Sequence, residues 1–137
     1  MHETFEHTAD LGLRIRAGDL PGLFAEAGRA LFSAIVEDLG SVCPASELQL
    51  SIEAELLDEL LRDWLAELLY RFHSERMLFS QFDVALEGTV LTATARGEPV
   101  DADRHTIEGE LKAVTYHGLR VEQEPDGTWL AEVIVDT

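Results

Sequence analysis

Leu11-Gly12-Leu13-Arg14-Ile15-Arg16-Ala17 alternates apolar and polar or small residues, and Gly18-Asp19-Leu20-Pro21 follows it at once. In an extended chain successive side chains point to opposite sides, so the alternation puts Leu11, Leu13, Ile15 and Ala17 on one face of a strand. Gly18-Asp19 breaks that strand. Asp19 is a fitting N-cap, and Pro21 falls in the first helical turn, where a missing N–H does little harm. Beyond it Leu20, Leu23, Phe24, Ala27, Leu31 and Ile35 recur with the 3.6-residue period of a helix, which fades near Asp38-Leu39-Gly40.

A second strand follows Pro44 to Glu47, with Leu48, Leu50, Ile52 and Ala54 facing one way. A second helix is expected from about Glu55 to about Phe72. Its stripe is Leu57, Leu60, Leu61, Trp64, Leu68 and Phe72, widened by Leu65 and Leu69, so it should pack deep against a sheet with Trp64 in the core. From Met77 the pattern changes to strands: Met77 to Leu86 and Val90 to Arg96 around a turn at Glu87-Gly88-Thr89, then Leu111 to Tyr116. A last hairpin joins Gly118 to Glu124 and Thr128 to Val135 through Pro125-Asp126-Gly127, where proline presets φ and glycine tolerates a positive one. The order β-α-β-α followed by strands predicts an α+β fold, two helices packed on a mainly antiparallel or mixed β-sheet. No linker, low-complexity tract or internal repeat interrupts the 137 residues, so a single domain over 1–137 is expected.

The charge balance narrows function. Ten Lys and Arg against 27 Asp and Glu leave a formal net charge of −17. Affinity for polynucleotides comes largely from cations that displace counterions around phosphates, so no strong direct grip on nucleic acid is expected. Carboxylates are also the hard oxygen donors that Ca²⁺ and Mg²⁺ prefer. No run of apolar residues approaches the roughly 18 to 20 that a membrane span requires. Met1-His2-Glu3-Thr4-Phe5-Glu6 lacks the pattern of a signal peptide, and a lone Cys43 excludes an intramolecular disulfide, which fits a reducing, cytoplasmic setting.

Polar residues interrupt the apolar pattern in four places: His7-Thr8-Ala9-Asp10-Leu11-Gly12, Gly97-Glu98 through Asp101, Asp103, Arg104 and His105, Lys112-Ala113-Val114-Thr115-Tyr116-His117, and Asp136-Thr137. Each residue has a bland reading. Asp10 could bond nearby backbone in a turn; Asp101, Asp103 and Lys112 could be solvated; the histidines could be satisfied or exposed; Asp136 could belong to a frayed end. No G-x-S-x-G, H-E-x-x-H, phosphate-binding glycine loop or C-x-x-C occurs. Histidines and acids could still converge on a metal, so a stand-alone metal-dependent hydrolase using His7, Asp10, His105 and Asp136 is one reading.

Together, and with Asp63-Trp64-Leu65-Ala66-Glu67-Leu68-Leu69-Tyr70 in the second helix, these segments resemble the archease family over nearly the whole chain. The resemblance implies a small cytosolic protein that is not itself an enzyme. It implies an activator of the GTP-dependent tRNA-splicing RNA ligase, which joins ends bearing a 2′,3′-cyclic or 3′-phosphate. Such a protein promotes guanylylation and multiple turnover of the ligase and can broaden its nucleotide use. Residue by residue, Asp10 and Asp136 match the family's metal-binding aspartates. The third ligand comes from the final residue, here Thr137 where isoleucine or leucine is more usual, and a backbone or terminal carboxylate oxygen would survive that change. Ca²⁺ suits such a site best, with Mg²⁺ or Mn²⁺ as alternatives. Lys112 matches a functionally implicated lysine, and His7, Glu98, His105 and His117 match family positions without an assigned role. Asp10 and Asp136, from opposite ends of the sequence, should therefore lie close enough to share one cation.

Overall fold

The computed structural model describes residues 1–7 and 10–137. Its elements run β1 (His2–His7), β2 (Asp10–Ala17), α1 (Leu20–Ile35), a 3-10 turn at Leu39–Ser41, β3 (Ser46–Glu53), α2 (Leu57–Glu75), β4 (Met77–Glu87), β5 (Val90–Pro99), β6 (Ala113–Val114), β7 (Arg120–Gln123) and β8 (Trp129–Asp136). The α+β class is as expected, and the strands form two sheets, each wholly antiparallel. One has the order β1-β2-β8-β6, with β7 also on β8; the other is β3-β5-β4.

The opening strand-to-helix step folds as its residues dictate. Leu13 and Ile15 are fully buried, Asp19 accepts a hydrogen bond from the Gly22 N–H at 2.8 Å, and Pro21 sits in the first turn of α1. The predicted stripe of α1 is buried from Leu23 to Ile35, with Leu20 half-buried in the first turn, and Ala25, Ala30 and Phe32 outside it are buried too. The reason is position: α1 packs against β2 of one sheet and β4 of the other, so apolar contact surrounds it more widely than one sheet would require.

The second helix buries Leu60, Leu61, Trp64, Leu65, Leu68, Leu69 and Phe72, as predicted, while Leu57 in its first turn is half-buried. The Trp64 indole N–H donates to the Phe24 carbonyl at 2.9 Å, which satisfies the one polar atom of a side chain with no solvent exposure. Removing that ring would cost about 3–5 kcal/mol.

Two strands differ from expectation. The first is β1, which the sequence does not announce. It is an edge strand with Glu3, Thr4 and Glu6 exposed, and its one large apolar residue, Phe5, lies across Gly12 so closely that a Cβ there would come within 2.4 Å of the ring. The second is the expected strand from Leu111 to Tyr116, of which Ala113–Val114 pair as β6. Side chains of α2 take carbonyls on either side: Arg62 donates to Val114 and His73 bonds Leu111. The segment is thus held between β8 and α2 as much as within the sheet.

Candidate functional site

Strand register decides where the predicted residues meet. Leu11 lies opposite Val135 at the end of the antiparallel β2–β8 pair, and the same register carried one step further along each strand sets Asp10 beside Asp136. The same row extends outward on both sides: His7 of β1 pairs with Asp10, and Ala113 of β6 pairs with Asp136. Leu11, Leu13 and Ile15 turn to the helices, so Asp10 and Asp136 point together to the opposite face. Directly opposed residues have Cβ atoms about 4.5–5.5 Å apart, close enough for two carboxylates to share one cation. Both aspartates are half-buried, and Thr137 follows, exposed. Thr8, Ala9 and the His7 side chain lie outside the described residues.

That row contrasts with the rest of its face. Four residues along the strands, Glu3, Arg14, Glu132 and Arg120 fall opposite one another on β1, β2, β8 and β7. Arg14 bridges Glu3 at 3.1 Å and Glu132 at 3.0 Å, and Arg120 also binds Glu132. Burial alone would raise the Glu132 carboxyl, but hydrogen bonds from Arg120 and Arg14 leave it below the usual carboxylate range. No ion pair with another described residue neutralises Asp10 or Asp136. Like charges set directly opposite destabilise a sheet, so a positive charge placed beside this pair would relieve the repulsion.

Lys112 is the chain's one lysine. Its backbone N–H donates to the Asp136 carbonyl at 2.7 Å, which fixes the residue beside the acid row. Its side chain is exposed and forms no ion pair with another described residue, although eight of the nine arginines do. His117, five residues on, is exposed, with its N–H donated to Thr115 Oγ1.

Glu98 and His105 form a separate centre. Both are buried. Arg104 binds the Glu98 carboxylate with two nitrogens, the Cys43 N–H donates to it at 2.7 Å, and His105 Nε2 lies 3.1 Å from it. The Asp101 N–H donates to His105 Nδ1 at 2.9 Å, so Nδ1 is the acceptor and the ring's hydrogen is assigned to Nε2, facing Glu98. The Arg104 bonds first, and the Cys43 N–H second, bring the Glu98 carboxyl down to about 2. The result is a brace. It ties the end of β5 to residues 101–105, and residues 106–109 then bond to Ile35 and Glu37 at the end of α1. From the sequence Arg104 carries no assigned role, yet an acid buried at the end of a strand needs a cation, and this is the nearest one downstream.

The histidines and acids therefore do not converge. His105 is committed to Glu98 and Asp101, and among the described residues no three His, Cys, Asp or Glu side chains gather into one metal-binding group. A cleft of about 450 Å³ opens between α2 and residues 107–110, lined by His73, Arg76 and Glu108 among others, and neither Asp10 nor Asp136 lines it. No helix among the described residues is long and apolar enough to cross a membrane.

Comparison with known proteins identifies the family. A relative called protein archease in Methanopyrus kandleri is 46% identical over 98% of this chain and 97% of its own. Its namesake in Pyrococcus furiosus is 36% identical over 98% and 96%. The solution structure of Methanobacterium thermoautotrophicum protein 1598 superposes with a TM-score of 0.87 at 37% identity, covering 99% of this chain and 98% of that one. The crystal structure of a Thermotoga maritima protein described as "an archease, possible chaperone" shares the fold, with a TM-score of 0.66 at 24% identity and coverage of 100% and 98%. Residues 2–137 match the Archease protein family (MTH1598/TM1083), and the chain belongs to that family.

Proposed function

We propose that this chain is a non-catalytic, cation-dependent activator of a GTP-dependent tRNA-splicing RNA ligase in the cytoplasm, promoting its guanylylation and repeated turnover. One observation carries the reading: Asp10 and Asp136 are opposed, like-charged and without an ion pair to another described residue, in a sheet face whose other described acids are paired with arginine. Asp10, Asp136 and an oxygen of Thr137 would hold the ion. Oxygen donors of this kind favour Ca²⁺, with Mg²⁺ or Mn²⁺ able to substitute. A bound cation would supply positive charge and open coordination positions at the rim of the sheet. The chain's own part is to set the two carboxylates side by side and to hold Lys112 next to them. Net charge of −17 argues that the ligase, not this chain, grips the RNA.

A stand-alone hydrolase is disfavoured, because it requires converging ligands in an enclosed pocket and His105 is engaged elsewhere. The test is the rate of guanylylation of the cognate ligase with wild type, Asp10→Ala and Asp126→Ala, each checked for folding by circular dichroism. Asp10→Ala should remain folded and fail to activate. Asp126 caps the distal hairpin through the Thr128 N–H, so its alanine variant should activate normally. A folded Asp10→Ala protein that activates like wild type would refute the metal site.

A further inference from the structure

The chain has two tyrosines, and both are exposed: Tyr70 by 59% and Tyr116 by 61%. Tyr116 ends the segment that carries Lys112, Tyr70 lies on α2, and neither has a place in the core. Tyr116 is held rigidly for so exposed a residue. Thr115 before it donates its N–H and its hydroxyl to the Ile134 carbonyl, each at 3.0 Å. The turn after it closes through the Leu119 N–H onto the Tyr116 carbonyl, with Gly118 at φ +59° supplying a conformation that other residues rarely adopt. Arg62 stacks on the ring, its Cζ 4.7 Å from the centroid, and is itself fixed by the Val114 carbonyl and by Asp63.

On α2, Arg62, Ala66 and Tyr70 follow one another at i, i+4 and i+8, so the second tyrosine lies two turns along the same side of the helix, roughly 12 Å away. Asp63 and Glu67 border this stripe, and each spends its charge on an arginine of the same helix. An aromatic centre with a pre-set ring, an arginine beneath it and an acidic border is the composition of a protein-binding hot spot, because little side-chain freedom remains to be lost on binding. The long-range field of an acidic chain selects a basic partner and steers its approach.

We infer that the surface formed by Tyr116, Arg62, Ala66 and Tyr70 is the docking face for a protein partner, and that the partner presents an apolar or cationic group over Tyr116 within a basic surface. Resting on the activator reading above, this places the partner, the ligase, against α2 and β6, with Lys112 and the acid row at the margin of the contact. RNA is the competing occupant, since bases also stack on tyrosine.

The experiment measures binding of the full chain to the purified cognate ligase by titration calorimetry, with activation followed in parallel. Tyr116→Ala should weaken binding by about tenfold or more, and Tyr70→Ala by less. Tyr116→Phe, which keeps the ring over Arg62, should bind within about threefold of wild type. All three should keep the wild-type melting temperature and the wild-type response to added Ca²⁺, and saturating Tyr116→Ala should restore full activation. Asp10→Asn separates the two readings: it should bind the ligase normally while failing to activate it. Wild-type affinity in both tyrosine-to-alanine variants overturns the docking face and leaves the activator reading standing. A ligase that wild type neither binds nor activates overturns both. Binding of labelled tRNA by the chain alone, lost in Tyr116→Ala, overturns the protein partner in favour of RNA.

Discussion

Two rows of residues cross the same face of the same sheet and solve the charge problem in opposite ways. In the Glu3–Arg14–Glu132–Arg120 row every charge meets its opposite on the next strand. In the row that passes through Asp10 and Asp136, acid meets acid. Both rows have the same backbone register and the same outward orientation, so sheet geometry explains neither choice. The neutral row needs nothing but the fold. The acid row has no ion pair to another described residue, and that difference is what the proposed cation would use.

The sharpest way to break the comparison is to convert one row into the other. Asp10→Lys places a cation opposite Asp136, where an opposed pair contributes about 0.2–1 kcal/mol to a sheet. Activation should be abolished while the protein becomes slightly more stable. Added Ca²⁺ should no longer raise the melting temperature, whereas in wild type it should add about 2.7 kcal/mol at a concentration one hundred times its dissociation constant. Loss of activation accompanied by unfolding would mean that the acid row is structural after all.

Acid is the next lever. Glu98 is brought down to about 2 by Arg104 and the Cys43 N–H, and Glu26 reaches about 2 because hydrogen bonds from Arg29 and His2 outweigh the upward pull of its burial. Each folded value lies below the ordinary one near 4.5, so the stability these groups contribute is complete above that pH and is lost as pH falls towards 2. Denaturant melts between pH 6 and pH 2.5 should show it. Stability that rises on acidification would contradict the assignment.

The remaining tests act on the neutral row alone. Glu132 has 12% side-chain exposure and serves two arginines, so Glu132→Ala should cost about 2 kcal/mol in denaturant melts while activation and the Ca²⁺ response stay unchanged. Glu3 is 44% exposed at the outer end, and Glu3→Ala should cost only a few tenths of a kcal/mol, vanishing in high salt.

How much of this could be read from the sequence depended on whether the information was local. Both helices were legible because their stripes repeat every 3.6 residues, and the last hairpin because Pro125, Asp126 and Gly127 each have a mechanical reason to be there. The edge strand β1 was not, since Phe5 is its one large apolar side chain and a single residue makes no alternation. Division into two sheets was hidden as well: whether β2 pairs with β3 or with β8 depends on contacts across the fold. Asp10 and Asp136 stood out individually, through a resemblance to known proteins, but their opposition follows from the β2–β8 register. Glu98 and His105 stood out the same way, and burial gives them a different job, bracing the path towards Lys112.

The pairing of β2 with β8 also governs when the acid row can exist. Arg14 and Glu132, partners in that pair, are 118 residues apart in sequence, whereas β4 and β5 meet through a two-residue turn at Gly88-Thr89. Closing a long loop costs more chain entropy than closing a short one, and contacts between distant segments slow folding. The β4–β5 hairpin is therefore expected to gain hydrogen-exchange protection during refolding before β2 and β8 do. Asp10 and Asp136 would come together only in that late step, so under the proposed function a partly folded chain would offer a cation two separate, weak carboxylates, and ion capture would report completion of the fold.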